Sequence, residues 1–539
     1  MNNERGIKIM NKVLSLVFML LMVAACSGNQ QQEATGEKAQ TSVENDTTYR
    51  EPYRPQFHFT PKKNWMNDPN GLVYYDGEYH MFYQYNPFGI KWGHMSWGHT
   101  VSKDMVHWMH LPVALKEENN IMIFSGSAVV DRENTSGLGS ADAPPMIAIY
   151  AGHHTDKKLQ DERIAYSTDR GRSWTKYKNN PVLDEGMENF RDPKIFWYEP
   201  DQKWVMVVAK STEHKIGLYS SKNLKNWIHL SDFGPLGSTA GVWECPDLFK
   251  LPVDGNPENT KWVMQVDINP GAVAGGSGGQ YFIGDFDGKI FTPDKAAMHN
   301  LQAQNTLWVD FGKDFYAVQS WSNIPENDGR HLWIAWMNNW LYGQDIPTQP
   351  WRSAMSIPRS LELKTYPEGM RLVQHPVREL QPLRGEHFDF QNQTIDGESD
   401  LLSQNGVSGK TLEIVATFEP GDASEVGINV RKGGDEETLV GYDTGQSQLY
   451  IDRTLSGKVD FSEDFPGKQA GPMPMENNRV KMHLFVDWSS VEVFGNDGRT
   501  VLTDRIFPSS DSDGLQLYSK GGTAKLISMD IWKLNPIWK

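Results

Sequence analysis

The sequence is short of cysteine, of positive charge and of long apolar segments. Two cysteines, Cys26 and Cys245, stand among 539 residues, so the chain cannot build a disulfide framework and its core must be stable without one. Lysine and arginine total 52 against 68 aspartate and glutamate residues, a formal net charge of −16. That balance argues against nucleic acid and anionic ligands as partners. Only Val13–Ala25 forms a long apolar run, and it is too short to span a bilayer as a mature helix.

The first residues have the pattern of an export signal. Basic residues precede Val13–Ala25, and the run ends in Val-Ala-Ala-Cys26, which resembles a bacterial lipobox. We predict a lipoprotein signal peptide over residues 1–26, with Cys26 acylated after cleavage; a plain secretory signal with an incidental cysteine is the alternative. Residues 27–52 are rich in Gln, Glu, Thr and Ser and predict a disordered tether. The protein would then be exported and membrane-anchored, at the periplasmic face or the cell surface.

Tryptophan and glycine are plentiful, at 19 and 48 residues, and short strand-like runs alternate with turns from residue 53 to 375. A Ser-x-Asp/Asn turn followed by tryptophan recurs at Ser102, Ser167 and Ser221. An interval of roughly 60 residues fits one four-stranded blade per repeat. The sequence therefore predicts an all-β chain with a five-bladed β-propeller over residues 53–375.

A second β-rich region follows the propeller. We predict a linker over residues 376–392 and a β-sandwich domain over residues 393–539, because short alternating strands recur there without helical periodicity. The region has no obvious aromatic platform, which favours a structural or interface role over a carbohydrate-binding one.

Three acidic motifs carry the chemistry: Asn-Asp-Pro-Asn-Gly at 67–71, Arg-Asp-Pro at 191–193 and Trp-Glu-Cys-Pro-Asp at 243–247. The innermost strands of a propeller begin near its central channel, so equivalent positions of successive blades converge there. Glycoside hydrolysis needs two carboxylates at one sugar bond, one ionised and one protonated. Asp131 and Asp247 recur at similar intervals, and the alternative for these two residues is a structural role in holding loops.

Together with Phe-Ser-Gly-Ser at 124–127, the motifs, in this order and spacing, resemble those of the β-fructofuranosidases of glycoside hydrolase family 32. The resemblance extends from Phe57 to the C-terminus and implies a five-bladed propeller followed by a β-sandwich. It also implies hydrolysis of terminal β-fructosyl units of fructans (levan, inulin) and of sucrose, with no cofactor.

The resemblance assigns roles to the three carboxylates. Asp68 resembles the nucleophile that forms a covalent fructosyl intermediate, and Glu244 the general acid/base. Asp192, with Arg191, resembles the pair that grips fructose hydroxyls and stabilises the transition state. Configuration would be retained, with the nucleophile and acid/base carboxyls about 5–5.5 Å apart.

Further residues resemble the pocket around the terminal fructose of that family: Asn67, Gln84, Trp92, Phe124, Ser125 and Trp340. The stretch 336–354 looks more like exo-inulinases and levanases than like plant invertases. Cys245 is expected to be a small buried residue rather than a reactive thiol. A group of histidines suggests hydrogen bonding rather than a metal site, because no ligand spacing recurs: His94, His99, His107 and His110.

Alternatives remain at this point. One is an endo-acting levanase of the same family, and another a sialidase, because sialidase propellers carry similar Ser-x-Asp turns. A sialidase would need an arginine cluster, and this chain has one well-placed arginine, Arg191. A third is a non-catalytic fructan-binding surface lipoprotein, which would not need the complete acid set. The preference among levan, inulin and sucrose stays open, as does the oligomeric state.

Overall fold

The computed structural model describes residues 49–294 and 306–538. The predicted signal peptide, Cys26 and most of the predicted tether therefore lie outside the described residues. Strands dominate, and the described helical elements are one short α-helix and three 3-10 helices: Leu401–Gln404, Glu199–Asp201, Ser211–Glu213 and Arg378–Leu383. No helix within the two described ranges is long and apolar enough to cross a membrane.

The first three blades are antiparallel meanders of four strands in sequence order. Apolar side chains of neighbouring blades pack face to face, as Ile147 and Ile149 of blade 2 pack with Met206 and Val208 of blade 3. The strands are β1 (Asn64–Tyr75), β2 (Glu78–Asn86), β3 (Ser96–Ser102) and β4 (Trp108–Leu115) in blade 1; β5 (Ile121–Val130), β6 (Met146–His154), β7 (Gln160–Ser167) and β8 (Thr175–Lys176) in blade 2; and β9 (Phe190–Tyr198), β10 (Lys203–Lys210), β11 (Lys215–Ser221) and β12 (Ile228–Phe233) in blade 3.

Blades 4 and 5 complete the ring, which confirms the predicted all-β, five-bladed propeller. The short strand β19 (Trp351–Arg352) closes the ring by pairing in parallel with β1 of blade 1, and β20 (Ala354–Met355) pairs with the second strand of blade 5. The strands are β13 (Val242–Val253), β14 (Asn256–Asn269), β15 (Gly278–Phe286) and β16 (Phe291–Pro293) in blade 4, and β17 (Tyr316–Ser320), β18 (His331–Met337), β19 (Trp351–Arg352), β20 (Ala354–Met355), β21 (Arg359–Tyr366) and β22 (Gly369–Pro376) in or beside blade 5.

The repeated Ser-x-Asp/Asn turns occur once in each of blades 1 to 3, where they join the third and fourth strands. In blade 1 the Ser102 hydroxyl donates to Asp104 Oδ1 at 2.9 Å, and in blade 2 the Ser167 hydroxyl donates to Asp169 Oδ1 at 2.7 Å. Such local side-chain bonds stabilise the turn against continued strand. The repeat is a structural feature of the blades.

The C-terminal region is a ten-stranded β-structure in which β32 pairs with β23, β24 and β25. Two groups of strands extend from β32 and enclose one core, where Ile428 and Val440 of one group meet Ile414 and Leu484 of the other. The strands are β23 (Arg384–Ser399), β24 (Leu412–Glu419), β25 (Glu425–Gly433), β26 (Glu436–Asp443), β27 (Gln448–Asp452), β28 (Lys468–Pro472), β29 (Val480–Asp487), β30 (Ser490–Gly495), β31 (Thr500–Arg505) and β32 (Gly514–Leu534).

The segment 376–392, predicted as a linker, is largely regular secondary structure. A 3-10 helix occupies Arg378–Leu383, and β23 then begins at Arg384 and pairs along β32. Most β23 side chains are exposed and polar, so the sequence carries little apolar alternation to mark a strand. The expectation of a linker up to residue 392 is wrong for this reason.

Buried charges join the C-terminal sandwich to the propeller. His58 lies between two sandwich carboxylates, with Nδ1 2.7 Å from Asp487 and Nε2 3.0 Å from Glu492. Burial lowers the pKa of His58, but these hydrogen bonds and charges raise it above its ordinary value overall. Glu492 also accepts from Arg359 of blade 5 at 2.5 Å. The two regions thus share a fully buried ionic contact.

The end of the predicted tether, residues 49–52, contacts the folded unit. The Tyr49 ring stacks on Trp538 at 4.0 Å between centroids, and the Tyr49 hydroxyl lies 2.5 Å from His110 Nε2. Glu51 pairs with Arg54 at 2.8 Å. The prediction of disorder up to residue 52 is therefore wrong for its last residues, which gain aromatic and ionic contacts that the polar composition does not reveal.

Candidate active site

A pocket of about 260 Å³ opens where the first strands of the blades meet. Every residue predicted for the catalytic and binding site lines it, together with one that the sequence reading missed, Asn269. The lining residues are Asn67, Asp68, Gln84, Trp92, Phe124, Ser125, Arg191, Asp192, Glu244, Asn269 and Trp340. Asn269 ends β14, and no motif around it marked it as a pocket residue.

Irregularities in the first strand of each blade aim these side chains into the pocket. The register shifts between Met66 and Pro69 in β1 and between Ile123 and Gly126 in β5. The pairing of β9 with β10 also shifts register, and β13 and β17 shift register just after Glu244 and Tyr316, respectively. A bulge bends its strand and re-aims a side chain, which is why bulges gather next to active sites. The Pro and Gly residues of the motifs fit this interrupted pairing.

The last three blades share one local geometry. Asp192, Cys245 and Ala317 adopt left-handed backbone conformations with φ of 65°, 46° and 54°. The residues immediately before them form a hydrogen-bonded row: Arg191 Nη2 donates to Glu244 Oε1 at 2.9 Å, and the Tyr316 hydroxyl donates to Glu244 Oε2. Tyr316 is the contribution of blade 5.

Sequence reasoning missed Tyr316. It stands in no acidic motif. The only available signal was that the interval between the acidic motifs of successive blades, continued beyond Glu244, reaches the fifth blade. Burial raises the pKa of its phenol far above the ordinary value, and the neighbouring Glu244 charge adds to the effect. The hydroxyl thus remains a donor at all working pH values.

Asp68 is held through both carboxylate oxygens. The Ser125 hydroxyl donates to Oδ2 at 2.6 Å and Asn67 Nδ2 donates to Oδ1 at 3.0 Å. Trp65 Nε1 in turn donates to Asn67 Oδ1 at 2.7 Å, which fixes the amide. Burial raises the pKa of Asp68 and the Glu244 charge adds to this, whereas the Ser125 and Asn67 hydrogen bonds oppose it by stabilising the ionised form.

Asp192 lies beside Asp68 and Glu244 and accepts a hydrogen bond from the Cys245 backbone N–H at 3.0 Å. Burial raises the pKa of Asp192 to about 7, against the effect of Arg191, which lowers it. The Cys245 thiol lies 3.8 Å from Asp68 Oδ2 and 3.7 Å from Asp192 Oδ2. Burial and these charges raise the thiol pKa well above its ordinary value, so the thiol stays protonated, as expected of an unreactive cysteine.

Aromatic rings form the walls. Trp340 packs on Trp336 at 4.9 Å and on the fully buried Trp65 at 5.8 Å between ring centroids. Trp92, which is 37% exposed, meets Phe124 edge-on at 6.0 Å between ring centroids, and both rings line the pocket. Apolar walls exclude water and leave hydrogen bonding to the polar side chains of the floor.

Gln84 places a hydrogen-bond donor without a partner among the polar side chains of the pocket. Its Nε2 is buried and has no hydrogen-bond partner within the described part of the chain. A buried donor without a partner costs free energy, and in a pocket a bound hydroxyl can satisfy it. The glycine-rich loop over residues 271–279 supports Trp340, whose backbone N–H donates to Ser277 Oγ at 3.2 Å.

The remaining sequence candidates lie elsewhere. Asp131 caps its own loop by accepting from Thr135 and Ser136 backbone N–H groups. His94, His99, His107 and His110 each contact a nearby side chain through a ring nitrogen: Glu117, His80, Asp104 and Tyr49, respectively. Within the two described ranges, no group of three His, Cys, Asp or Glu residues is arranged to hold a metal ion.

Three carboxylates around a small aromatic pocket at a propeller centre define the class of a glycosidase. Comparison with known proteins agrees. Residues 58–376 match the glycosyl hydrolases family 32 N-terminal domain, and residues 379–533 match the family 32 C-terminal domain. The chain belongs to glycosyl hydrolase family 32 and is a glycosidase; the sialidase alternative is thereby wrong.

Known relatives span most of the chain. It is 53% identical to a levanase of Bacillus subtilis (strain 168) over 495 residues, 91% of this chain and 72% of that protein. It is 44% identical to an extracellular exo-inulinase of Aspergillus awamori, over 91% of this chain and 96% of that protein. The crystal structure of exo-inulinase from Aspergillus awamori superimposes with a TM-score of 0.85 at 42% identity, covering 91% of this chain and all of that one.

Proposed function

We propose that this enzyme hydrolyses fructans, releasing terminal β-fructosyl units from levan or inulin, and that it also cleaves sucrose. The observation that carries the proposal is the single pocket that holds Asp68, Asp192 and Glu244 together. The levanase and exo-inulinase relatives support the substrate class.

In the first step, the Asp68 carboxylate attacks the anomeric carbon C2 of the terminal fructosyl unit. The C2–O bond to the leaving group breaks as Glu244 donates a proton to that oxygen, and a covalent fructosyl–Asp68 ester results. Ser125 and Asn67 hold the Asp68 oxygens at 2.6 and 3.0 Å. This preorganisation limits the side-chain motion that attack would otherwise require.

In the second step, a water molecule attacks C2 from the side vacated by the leaving group. Glu244 takes the proton of that water, the ester bond breaks and Asp68 is released as a carboxylate. Two inversions at C2 give net retention. Arg191 and Tyr316 each donate to one Glu244 oxygen, so the carboxyl group stays in place as it gives and recovers the proton.

Asp192 and Arg191 would grip hydroxyls of the fructosyl ring, and Gln84 would add its free donor. The Asp192 side chain is 7% exposed and lines the same pocket as the other two acids. In its ionised form, which the Arg191 charge favours, Asp192 stabilises the oxocarbenium-like transition state more than the neutral substrate and so lowers the barrier.

The pocket size favours exo action over the endo-acting alternative. A cavity of about 260 Å³ with Trp340 and Phe124 as walls accommodates little beyond one sugar ring. An endo-acting enzyme needs an open cleft through which the chain can pass in both directions. We therefore expect cleavage of one terminal unit at a time.

The roles of the carboxylates are tested with two isosteric variants, Asp68→Asn and Glu244→Gln. Asp68→Asn should abolish hydrolysis of sucrose, inulin and levan while leaving the circular dichroism spectrum unchanged, because the amide cannot act as the nucleophile. Asp142→Asn, an exposed site outside the pocket, serves as the matched control and should retain activity. Near-normal turnover by Asp68→Asn would end the nucleophile assignment.

Glu244→Gln should slow sucrose and inulin much more than an aryl β-fructoside with a good leaving group, because such a leaving group needs no proton. Equal losses on both kinds of substrate would contradict the acid role. Product analysis over time answers the exo question separately: fructose alone from the first minutes supports exo action, and early oligosaccharides contradict it.

We further propose that the protein is exported and membrane-anchored through lipid on Cys26, with residues 27–48 as the tether. The lipobox-like Val-Ala-Ala-Cys26 supports this, and the exo-inulinase relatives are extracellular by name. Cys26→Ser should abolish incorporation of labelled palmitate in a bacterial host and release the enzyme from the membrane fraction. Unchanged membrane retention in that variant would contradict the anchor.

A further inference from the structure

A second cavity, of about 640 Å³, lies further along the same blades and belongs to no step of the proposed chemistry. The first strands of blades 2 to 5 lead from the active site to it: β9 carries Asp192 in the first pocket and Lys194 in the second, and β13 carries Glu244 and then Asp247. Strands rise about 3.3 Å per residue, so the two sites are on the order of 10 Å apart.

The floor of this cavity is polar and has no net charge. Lys194 Nζ donates to the Ser320 carbonyl at 2.6 Å and to the Ser320 hydroxyl at 3.0 Å, and it lies 3.2 Å from Asp247 Oδ2. The Ser320 backbone N–H also donates to Asp247 Oδ2, at 2.9 Å. The ammonium group is therefore fully engaged and balances the Asp247 carboxylate. The other charged residues of the lining carry both signs, so the cavity has no excess of positive charge for an anion: Arg132, Lys250, Asp131, Glu133 and Glu199.

Two buried polar atoms on this floor have no partner within the described part of the chain: Asp247 Oδ1 and His331 Nε2. Asp247 is 1% exposed. Burial lowers the pKa of His331 to about 4, so its ring is neutral, and it stacks on Phe249 at 4.0 Å. An unpaired carboxylate oxygen accepts from a hydroxyl, and a neutral imidazole nitrogen can accept or donate.

The walls are aromatic. Trp197 and Trp204 meet at 5.0 Å between ring centroids, and Phe196 and Trp262 meet at 5.6 Å. The Trp197 and Trp204 indole N–H groups already donate to Glu199 and Thr135. These two rings can therefore contact a ligand by apolar packing but not by hydrogen bonding. Ring faces with a few hydrogen-bonding groups are the usual composition of a small-molecule site.

We infer that this cavity is a second, non-catalytic binding site for a neutral oligosaccharide, a fructan segment of two or more units. The inference rests on the proposed function for the identity of the sugar. Its volume is more than twice the 260 Å³ of the catalytic pocket, so it has room for more than one ring. Sugar hydroxyls would satisfy Asp247 Oδ1 and His331 Nε2, and sugar CH groups would pack on the exposed edges and faces of Trp197 and Trp262.

The test separates binding from hydrolysis. In a Glu244→Gln background, retention of the full chain in levan-containing native gels is compared with and without Trp197→Ala. Retention should weaken roughly fivefold or more, as expected for the loss of about 1 kcal/mol of aromatic contact. Trp532→Ala, a partly buried sandwich tryptophan, is the matched control and should retain levan binding.

With Glu244 intact, Trp197→Ala should hydrolyse sucrose as the unsubstituted enzyme does, because sucrose is too short to reach both sites. Unchanged levan retention in Trp197→Ala would overturn the inference, as would a sucrose defect of equal size. If Trp197→Ala folds poorly, levan retention is measured with Trp262→Leu instead, and it should weaken in the same way. Loss of the proposed function would appear separately, as an unsubstituted enzyme inactive on both sucrose and levan.

Discussion

Arg453 offers a quantitative test of how the sandwich stabilises the propeller. This side chain is fully buried, and its guanidinium pairs with Asp314 at 2.6 Å and donates to the Tyr342 hydroxyl at 2.8 Å and to the Phe465 carbonyl at 2.9 Å. Arg453→Met keeps most of the volume but leaves Asp314 buried without its counter-charge. Removing one partner of a buried ion pair costs about 3–5 kcal/mol, which corresponds to roughly 160- to 4,700-fold in the unfolding equilibrium.

The assay is urea unfolding followed by tryptophan fluorescence. Lys520→Met is the control, because Lys520 pairs with Glu425 at 2.9 Å on the surface and is 51% exposed. Such a pair contributes about 1 kcal/mol or less. Arg453→Met should lower the urea midpoint several times more than the control does. Equal shifts for the two variants would show that the buried ion pair contributes no more than the surface pair.

A functional consequence follows from the same contact. Tyr342 lies two residues after Trp340, and its hydroxyl bonds both Arg453 and Asp314, the latter at 2.7 Å. Loss of Arg453 should therefore loosen the pocket wall and raise KM for sucrose more than it lowers kcat. A lower kcat with unchanged KM would contradict this coupling.

Two further predictions concern pH and backbone packing. The pKa of His58 is raised in the folded protein. The stabilising effect of the charged ring is therefore fully present below the unfolded pKa of about 6.5 and is lost as the pH rises through the folded pKa. His58→Gln should lower the urea midpoint more at about pH 5.5 than at about pH 9, and a difference that does not change with pH would contradict the assignment. A Cβ on Gly126 would come 2.0 Å from the Ile149 carbonyl oxygen, so Gly126→Ala should displace Ser125, lower kcat and cost about 1–3 kcal/mol. Gly89→Ala, where nothing lies within 4 Å, should be neutral in both activity and thermal unfolding.

Much of the fold could be predicted because its signals are local. The turns at Ser102, Ser167 and Ser221 close on their own side chains, so their spacing reveals the blades without any knowledge of tertiary contacts. The acidic motifs behave in the same way, because a proline-rich bulge and its carboxylate are neighbours in sequence. Asp68 and Asp192 were accessible to sequence reasoning for that reason.

What the sequence did not reveal depends on contacts between distant residues. Tyr316 becomes significant only because its hydroxyl reaches Glu244, 72 residues away. Strand β23 is mostly polar and exposed, and pairing with β32 rather than burial defines it. Arg453 stands in no motif, and its role appears only when Asp314 and Tyr342 surround it. Long-range pairing of this kind leaves no local pattern.

In the proposed mechanism, Asp68 forms a covalent fructosyl intermediate that is resolved with retention at C2. Sucrose hydrolysis in the presence of methanol tests it most directly, because methanol can replace water in the second step and the anomeric configuration of the resulting methyl fructoside is stable. Retention through a covalent intermediate predicts methyl β-D-fructofuranoside from the unsubstituted enzyme and none from Asp68→Asn. Formation of the methyl α-fructoside would contradict it.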